Sequence, residues 1–533
     1  MFFPEKIVGL KKKISRFLSL EQSIAGAAII IAVFTVVAKL VGFWRDRLLV
    51  AHFGAGEVLD AYYAAFKLPD FVFNTLILGA FSSAFIPIFF SFWKKEQQSA
   101  WKLTNEILNF LFIVIFFLTI ILIIFASSIV PCLVPGFSLA TQALAISFTR
   151  IIAISVLFFT LSNVFSSLLN TFHRFWIYSL APVLYNLGII VGIIFLSKTR
   201  LGVYGLAWGV VLGAFMHCAI QGLAAFRLGY TWKSVLMYSQ GVKEILRLML
   251  PRFFGLAVSQ VNIILAAFLA SFLAQGSLSI YTLASNFSNM PAGLIGIPLS
   301  ISLFPVFSLF HAQGENNFFY EKLAKAKDQI FYFILPLTVF FIIFRAEIIS
   351  LILEGGLFTK GDSLLTAQVF GVFSLSLIAQ NLIPLLARSF YAQRDTKTPV
   401  YTAVISLIVN FVGSLFLTHF YGVIGLALAY TLSSFINFYL LDYIFTKRNP
   451  NLKQYTSSRS FTYSFFIALL LFILLAITKN IFSFYFVSHT FLGPLLTLSF
   501  FFIFSCLICF GLGLFFKLSP ALLIFQKIKR IFR

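Results

Sequence analysis

The sequence predicts an all-α polytopic membrane protein. Three observations carry that expectation. Sixty per cent of the 533 residues are hydrophobic and the mean hydropathy is +0.99, whereas soluble domains are roughly 45–50% apolar. The apolar residues gather in long runs, and a spanning helix needs about 20 such residues. Charged residues, only 11% of the chain, mostly collect between the runs.

Fourteen runs qualify as spanning helices. The first, 24–48, follows a basic segment, 1–23, and carries charges of its own. The second, 58–92, is long and interrupted by Pro69 and Pro87. Four runs follow at 106–131, 141–170, 177–197 and 202–226. The seventh is 243–274. The eighth, 277–310, is again interrupted by proline, at Pro291, Pro298 and Pro305. Such breaks are tolerated where the backbone faces protein or a water-filled cavity. Then come 328–353, 363–392, 399–419 and 422–446, and finally 460–482 and 491–516, with a basic tail at 517–533. The first run is long, lacks an obvious small-residue cleavage site and is followed by many more, so a cleaved signal peptide is not expected.

The loops set the orientation. With the N-terminus inside, alternate loops and the two ends hold 27 of the 39 Lys and Arg residues, and the opposite loops hold six. Positive charge marks the cytoplasmic side, so both termini are expected there. The net charge of +22 then reflects topology rather than nucleic-acid binding.

The chain also repeats itself. "GVYGLAWGVVLGAF" from Gly202 resembles "GVIGLALAYTLSSF" from Gly422, an offset of 220. "APVLYNLGIIVG" around Pro182 resembles the segment around Pro399, Pro69 matches Pro291, and "FIPIFFSF" at Pro87 matches "LFPVFSLF" at Pro305. Repetition at one offset marks a duplicated unit. Each repeat has six spans, an even number, so both insert with the same orientation. The expected layout is an N-lobe over 24–226, a C-lobe over 243–446 and two extra helices over 460–516 that suit contact with a lipid tail. Transporters built from such repeats bind substrate between them and alternate access to it.

The charges inside the spans point to the substrate. A charge at the bilayer centre costs about 2.5–3.5 kcal/mol on insertion scales. On a helical wheel Thr35, Lys39, Gly42 and Asp46 form a narrow polar stripe, which should face a wet cavity. Lys39 and Asp46 lie about 10.5 Å apart along the axis, too far to pair, so Lys39 stays available for an anion. Arg45 flanks the stripe with a fork suited to two phosphate oxygens. The next run adds Asp60 and Lys67, then the break "KLPD". Asp46, Asp60 and Asp70 can pair with these cations in one state and release them in another.

Arg150, Arg345 and Arg388 snorkel or pair with neighbours, or else serve the substrate; Glu347 stands near Arg345. In the second half the matching helices are polar rather than charged: Ser259, Gln260, Asn262, Tyr281, Ser285, Asn286, Ser288 and Asn289. They either hydrogen-bond sugars and amides or glue helices together. Arg252, just after Pro251, is the second half's best anion contact. Cys506 and Cys509 form C-x-x-C inside an apolar run and read as passive thiols, and the six histidines have no ligand spacing. No metal or cofactor is expected.

These residues resemble a known family, the MurJ (MviN) lipid II flippases of the multidrug/oligosaccharidyl-lipid/polysaccharide exporter (MOP) superfamily. The likeness runs through "KLVGFWRDRLLVAHFGAGEVLDAYYAAFKLPDF" (39–71), "GAFSSAFIPIF" (79–89), "SSLLNTFHRF" (166–175), "ASFLAQGSLSIYTLASNF" (270–287), "LEGGLFTKGDS" (353–363) and "ARSFYAQRDTKTPV" (387–400). It covers roughly 20–445. The resemblance implies transport, in the bacterial plasma membrane, of an undecaprenyl-diphosphate-linked disaccharide-pentapeptide from inner to outer leaflet, for cell-wall peptidoglycan. It implies a cationic central cavity and a prenyl tail held near the last two spans. The family's two first-helix arginines fall on Lys39 and Arg45, its aspartate on Asp46, and Asp60 and Lys67 also match. Its arginine after the proline break falls on Phe73, and its arginine in the eighth span falls on Asn286. Lys for Arg keeps the charge and loses the bidentate fork.

The substrate-binding candidates are therefore Lys39, Arg45, Asp46, Asp60, Lys67, Arg252 and Asn286. The partners expected are the lipid-linked substrate and the bilayer, with the chain a monomer and no nucleic acid bound. Export of another polyprenyl-linked glycan is the neighbouring alternative. A membrane glycosyltransferase would need catalytic acids or histidines on a large outer loop, and no outer loop exceeds roughly 15 residues. The chain thus reads as a transporter, not an enzyme.

Overall fold

The computed structural model describes residues 24–78, 81–455, 458–481 and 492–531. Within them the regular structure is helical, apart from one isolated bridge between Gly355 and Phe358. The basic segment 1–23 lies outside the described residues. Eleven helical runs among the described residues are long and apolar enough to cross a membrane. They coincide with the third to sixth and eighth to fourteenth expected spans. The first, second and seventh expected spans are not among these eleven. Helix α1 (Ile24–Phe53) carries Lys39, Arg45, Asp46 and Arg47. The second span is cut into α2 (Glu57–Ala65), α3 (Lys67–Val72), a π-helical turn (Phe73–Leu78) and α4 (Phe81–Lys95). The seventh, α9 (Gln240–Ala270), opens with Lys243, Glu244 and Arg247.

The helices form two compact units, divided between Phe272 and Leu273. The first contains α1 to α4, then α5 (Gln97–Leu133), α6 (Leu139–Thr171), α7 (Phe175–Ile194), α8 (Gly205–Arg227) and α9. Sequence repetition puts the seventh span with the second half, yet α9 packs on α4, α5 and the π turn of the first unit. Its Val242, Ile245 and Met249 join a core built on Phe81, Phe85 and Phe89. These three phenylalanines are four residues apart, so successive turns stack their rings at 5.1 and 5.4 Å.

Two local devices shape this unit. Helices α7 and α8 cross backbone to backbone on glycine. A Cβ on Gly188 would lie 2.3 Å from the Gly213 Cα, and one on Gly192 would lie 2.6 Å from the Gly209 Cα. Small residues allow this approach, and dispersion between the backbones then holds the pair. The connection after α8 is strapped down by two asparagines of α5. Asn105 Nδ2 donates to the Thr231 carbonyl at 3.0 Å, and its Oδ1 accepts from the Tyr230 hydroxyl at 2.7 Å and the Lys233 N–H at 3.0 Å. Asn109 Nδ2 donates to the Lys233 and Val235 carbonyls at 2.9 and 3.0 Å, and its Oδ1 accepts from Trp232 Nε1 at 3.0 Å. The side chains stand in for the missing partners of an extended segment.

The second unit holds α10 (Ser277–Ser288), a π-helical turn (Ala292–Gly296), α11 (Ile297–Ala312), α12 (Asn316–Ile343), α13 (Arg345–Leu353), α14 (Lys360–Ala392), α15 (Lys397–Tyr421), α16 (Val423–Arg448), α17 (Ser458–Ile481), α18 (Leu492–Phe515) and α19 (Ser519–Ile531). Thr359 and Asp362 cap α14 reciprocally. Phe307, Phe319, Phe390 and Phe445 centre one core; Phe340, Phe344, Leu471, Leu475 and Phe501 centre a second, which docks α17 and α18 on α12 and α13. Glu347 pairs with Lys479 of α17 at 2.7 Å rather than with Arg345, whose Nη1 donates to the Ile342 carbonyl at 2.7 Å. The backbone direction of α13 turns the two neighbours apart.

The two units share local features at the repeat spacing. Each carries a π turn beside its proline break, at Phe73–Leu78 and at Ala292–Gly296. Gly205 and Gly425, 220 residues apart, each start a helix tight against the end of the preceding one. A Cβ there would lie 2.5 Å from the Leu196 carbonyl carbon and 2.2 Å from the Leu417 oxygen, respectively.

Candidate functional site

The site grows from α1. Its apolar residues supply the helix, and Gly54, with φ of 64°, ends it by bonding its N–H to the Val50 carbonyl at 2.9 Å. The helix packs chiefly on α7. Asn186 of α7 fixes the crossing: its Nδ2 donates to the Ala38 carbonyl at 3.3 Å and the Pro182 carbonyl at 3.1 Å. Gly42 faces the same amide.

The polar stripe is divided by this packing. At its far end Asp46 is 3% exposed. Arg45 wraps back onto it, with Nε at 3.0 Å and Nη2 at 2.7 Å from one carboxylate oxygen, while Nη1 donates to Asn186 Oδ1 at 2.8 Å. The guanidinium fork that the sequence offers to a phosphate is thus engaged within the protein. Burying Asp46 leaves a carboxylate that needs a cation, and of the two arginines that flank it Arg45 is the one bonded to it at 2.7 Å.

At the near end Thr35 and Lys39 open on a cleft of about 580 Å³ within the first unit. Thr35 returns its hydroxyl to the Ile31 carbonyl at 2.7 Å. Lys39 is exposed and has no ion-pair partner among the described residues. No Asp or Glu lines the cleft. Phe73, where the resemblance places a family arginine, lines it too, with its ring 5.1 Å from that of Phe159. Ile31, Ala38, Phe159 and Pro182 add apolar wall, and polar side chains enter from Asn163, Ser166 and Asn170 of α6, Tyr178 and Ser179 of α7, and His217 and Gln221 of α8.

The other sequence candidates lie elsewhere. Asp60 is buried on α2 and Lys67 half-buried at the start of α3; neither lines the cleft. The Arg252 side chain lies outside the described residues. Asn286 is exposed on α10 of the second unit, beside Ser285, whose Oγ accepts from Asn289 Nδ2 at 3.1 Å. Arg150 donates to the Ile123 carbonyl at 3.1 Å and Arg388 to the Ser300 hydroxyl; neither lines the cleft. Among the described residues no three His, Cys, Asp or Glu side chains converge on a possible metal site.

Sequence reading missed Asn186 and the polar wall of α6 and α8. A signal was present: Asn163, His217 and Gln221 stand in otherwise apolar spans, and a polar group in lipid is costly unless it serves the interior. In chemical terms the cleft joins one free ammonium to hydrogen-bonding walls. That suits holding an anion with attached polar groups.

The sequence profile of the family described as Lipid II flippase MurJ matches residues 49–504. The Lipid II flippase MurJ of Burkholderia cenocepacia is 29% identical over 425 residues, which is 78% of this chain and 82% of the relative. The Probable lipid II flippase MurJ of Thermotoga maritima is 30% identical over 412 residues, 76% of this chain and 82% of the relative. A solved structure described as Lipid II flippase MurJ in an inward closed conformation superposes with a TM-score of 0.74 at 26% identity, covering 92% of this chain and 98% of that one. An inward-facing multidrug resistance MATE family transporter of the MOP superfamily shares the fold, with a TM-score of 0.62 at 15% identity over 81% of this chain and 100% of that one.

Proposed function

This chain belongs to the lipid II flippase MurJ family, and on that premise we propose that it carries the undecaprenyl-diphosphate-linked peptidoglycan precursor from the inner to the outer leaflet by alternating access. It is a multi-pass membrane transporter. Lys39 supplies the first unit's contact to the diphosphate. The observation that supports this role is a lysine free of any carboxylate, in a cleft lined by none. Arg45 and Asp46 form an ion pair on the same helix, Asp60 and Lys67 lie off the cleft on α2 and α3, and Arg252 on α9 and Asn286 on α10 are further candidate contacts. An ammonium–phosphate contact contributes about 1.5–3 kcal/mol.

The prenyl chain has its own candidate surface. A groove of about 350 Å³ in the second unit runs between α12, α18 and α19, lined by Tyr332, Phe333, Phe340, Phe502, Cys506 and Cys509 among others. Its wall is almost wholly apolar, as an isoprenoid requires. Both termini face the cytoplasm in this reading, and the monomer is the working unit.

The test is rescue of flippase-depleted cells together with transport of labelled lipid II in vesicles. Lys39→Ala is expected to lower transport about 10- to 100-fold with normal membrane insertion, and Lys39→Arg to retain it. Wild-type transport by Lys39→Ala refutes the assignment.

One observation supports a second reading, export of a related polyprenyl-diphosphate glycan. Phe73 puts an aromatic ring in the cleft where the resemblance places an arginine. Mass spectrometry of the lipids that co-purify with the chain separates the two by headgroup mass.

A further inference from the structure

The cleft beside Lys39 has a back wall that the diphosphate does not need. Gln221, 1% exposed, sits behind it on α8. One of its amide atoms is spoken for twice: Oε1 accepts from Ser166 at 2.6 Å and Ser162 at 3.1 Å. Ser162 also meets His217 Nδ1 at 2.6 Å. This cluster ties α6 to α8. After it is made, Gln221 Nε2 still has no partner, and turning the amide over would orphan its oxygen instead. Asn163 Oδ1 and Ser179 Oγ, on residues each 7% exposed, are likewise buried without a partner. All three side chains line the same cleft.

Buried polar atoms are nearly always satisfied, so three orphans on one cavity call for an explanation. Helix–helix adhesion does not supply it, because the adhesive bonds are made by other atoms. Water fills such sites between ligands, and a ligand that displaces it must replace its hydrogen bonds or lose affinity. The three atoms together offer an acceptor, a donor and a hydroxyl that is both. Their complement is a group that also donates and accepts, placed next to an anion.

We propose that Asn163, Ser179 and Gln221 form a sugar-reading subsite in the first unit, which takes a hydroxyl or N-acetyl amide of the glycan whose phosphate Lys39 holds. This rests on the reading of the chain as a flippase of polyprenyl-diphosphate-linked glycans. The subsite makes these residues determinants of specificity. A site that hydrogen-bonds a substrate group rejects the analogue lacking it, because its own buried atoms are then left unpaired.

The test uses the full chain in lipid nanodiscs and three probes: undecaprenol, undecaprenyl diphosphate, and undecaprenyl diphosphate bearing one N-acetylhexosamine. The variants are Asn163→Leu and Ser179→Ala; Asn163 Oδ1 and Ser179 Oγ make no hydrogen bond within the protein, so their loss spares folding. Each is expected to weaken the glycosylated probe about 3- to 10-fold and the double variant more, with undecaprenyl diphosphate unchanged within about twofold. If the double variant binds both diphosphates as the wild type does, or weakens both equally, the wall holds water only and the subsite is refuted. If the wild type binds undecaprenyl diphosphate no better than undecaprenol, the parent reading fails and takes the subsite with it.

Discussion

Lys39 and Arg45 stand six residues apart on one helix and carry the same charge, yet the fold gives them different work. Arg45 is committed to Asp46 and Asn186, while Lys39 keeps its ammonium free at the cleft. The difference follows from burial. A carboxylate 3% exposed must be neutralised from within, and breaking such a pair is costly because it strands the remaining charge. Arg45→Ala is therefore expected to lower stability by up to about 3 kcal/mol, and the double change Arg45→Ala with Asp46→Ala to recover part of it. Thermal unfolding in detergent measures these and the single Asp46→Ala variant, and a loss in the double variant equal to the sum of the two single losses would show that the pair is not coupled. Sequence reading finds both cations and their stripe. It does not separate the free one from the engaged one, because the deciding partner, Asn186, is 141 residues away from Arg45.

Single helices and loops carry two further expectations. Helices α7 and α8 touch through Gly188, Gly192, Gly209 and Gly213. Gly209→Leu inserts a side chain where backbone already lies and must push the helices apart. A loss of at least about 1–3 kcal/mol is expected, read as a lower unfolding temperature and lower yield; an unchanged protein would mean the helices do not meet as described. The loop between α14 and α15 turns on Asp395. Burial alone raises its pKa, but hydrogen bonds from the Thr398 hydroxyl and N–H, from Arg448 at 2.5 Å and from the Lys397 N–H bring it below the ordinary carboxylate value. A depressed carboxylate pKa contributes stability above the unfolded value, about 3.9. That contribution disappears as pH falls through the lower folded value. Asp395→Asn should thus be less stable than wild type at pH 7, with the gap closing below about pH 3.9; a gap independent of pH excludes this origin. The sequence shows this loop as the motif "ARSFYAQRDTKTPV", but not that Arg448, at the far end of α16, returns to it.

For the molecule as a whole, loop charge predicts a testable topology. In a chain freed of its four native cysteines, new cysteines at Lys102 and Arg394 should react with an impermeant reagent only from the cytoplasm, and one at Lys198 only from outside. Reaction from the same side at all three would overturn the orientation. The sequence by itself determined the all-helical membrane class, the family and the repeat spacing, because hydropathy, charge bias and motif are properties of local segments that need no partner to be read. The tertiary structure decided that the second run breaks into pieces beside Pro69, that α9 packs with the first unit, and which polar groups are free. Those outcomes depend on side chains meeting across helices far apart in sequence. A cation becomes available, or a buried amide becomes an orphan, only when every neighbour that might have paired with it has been placed.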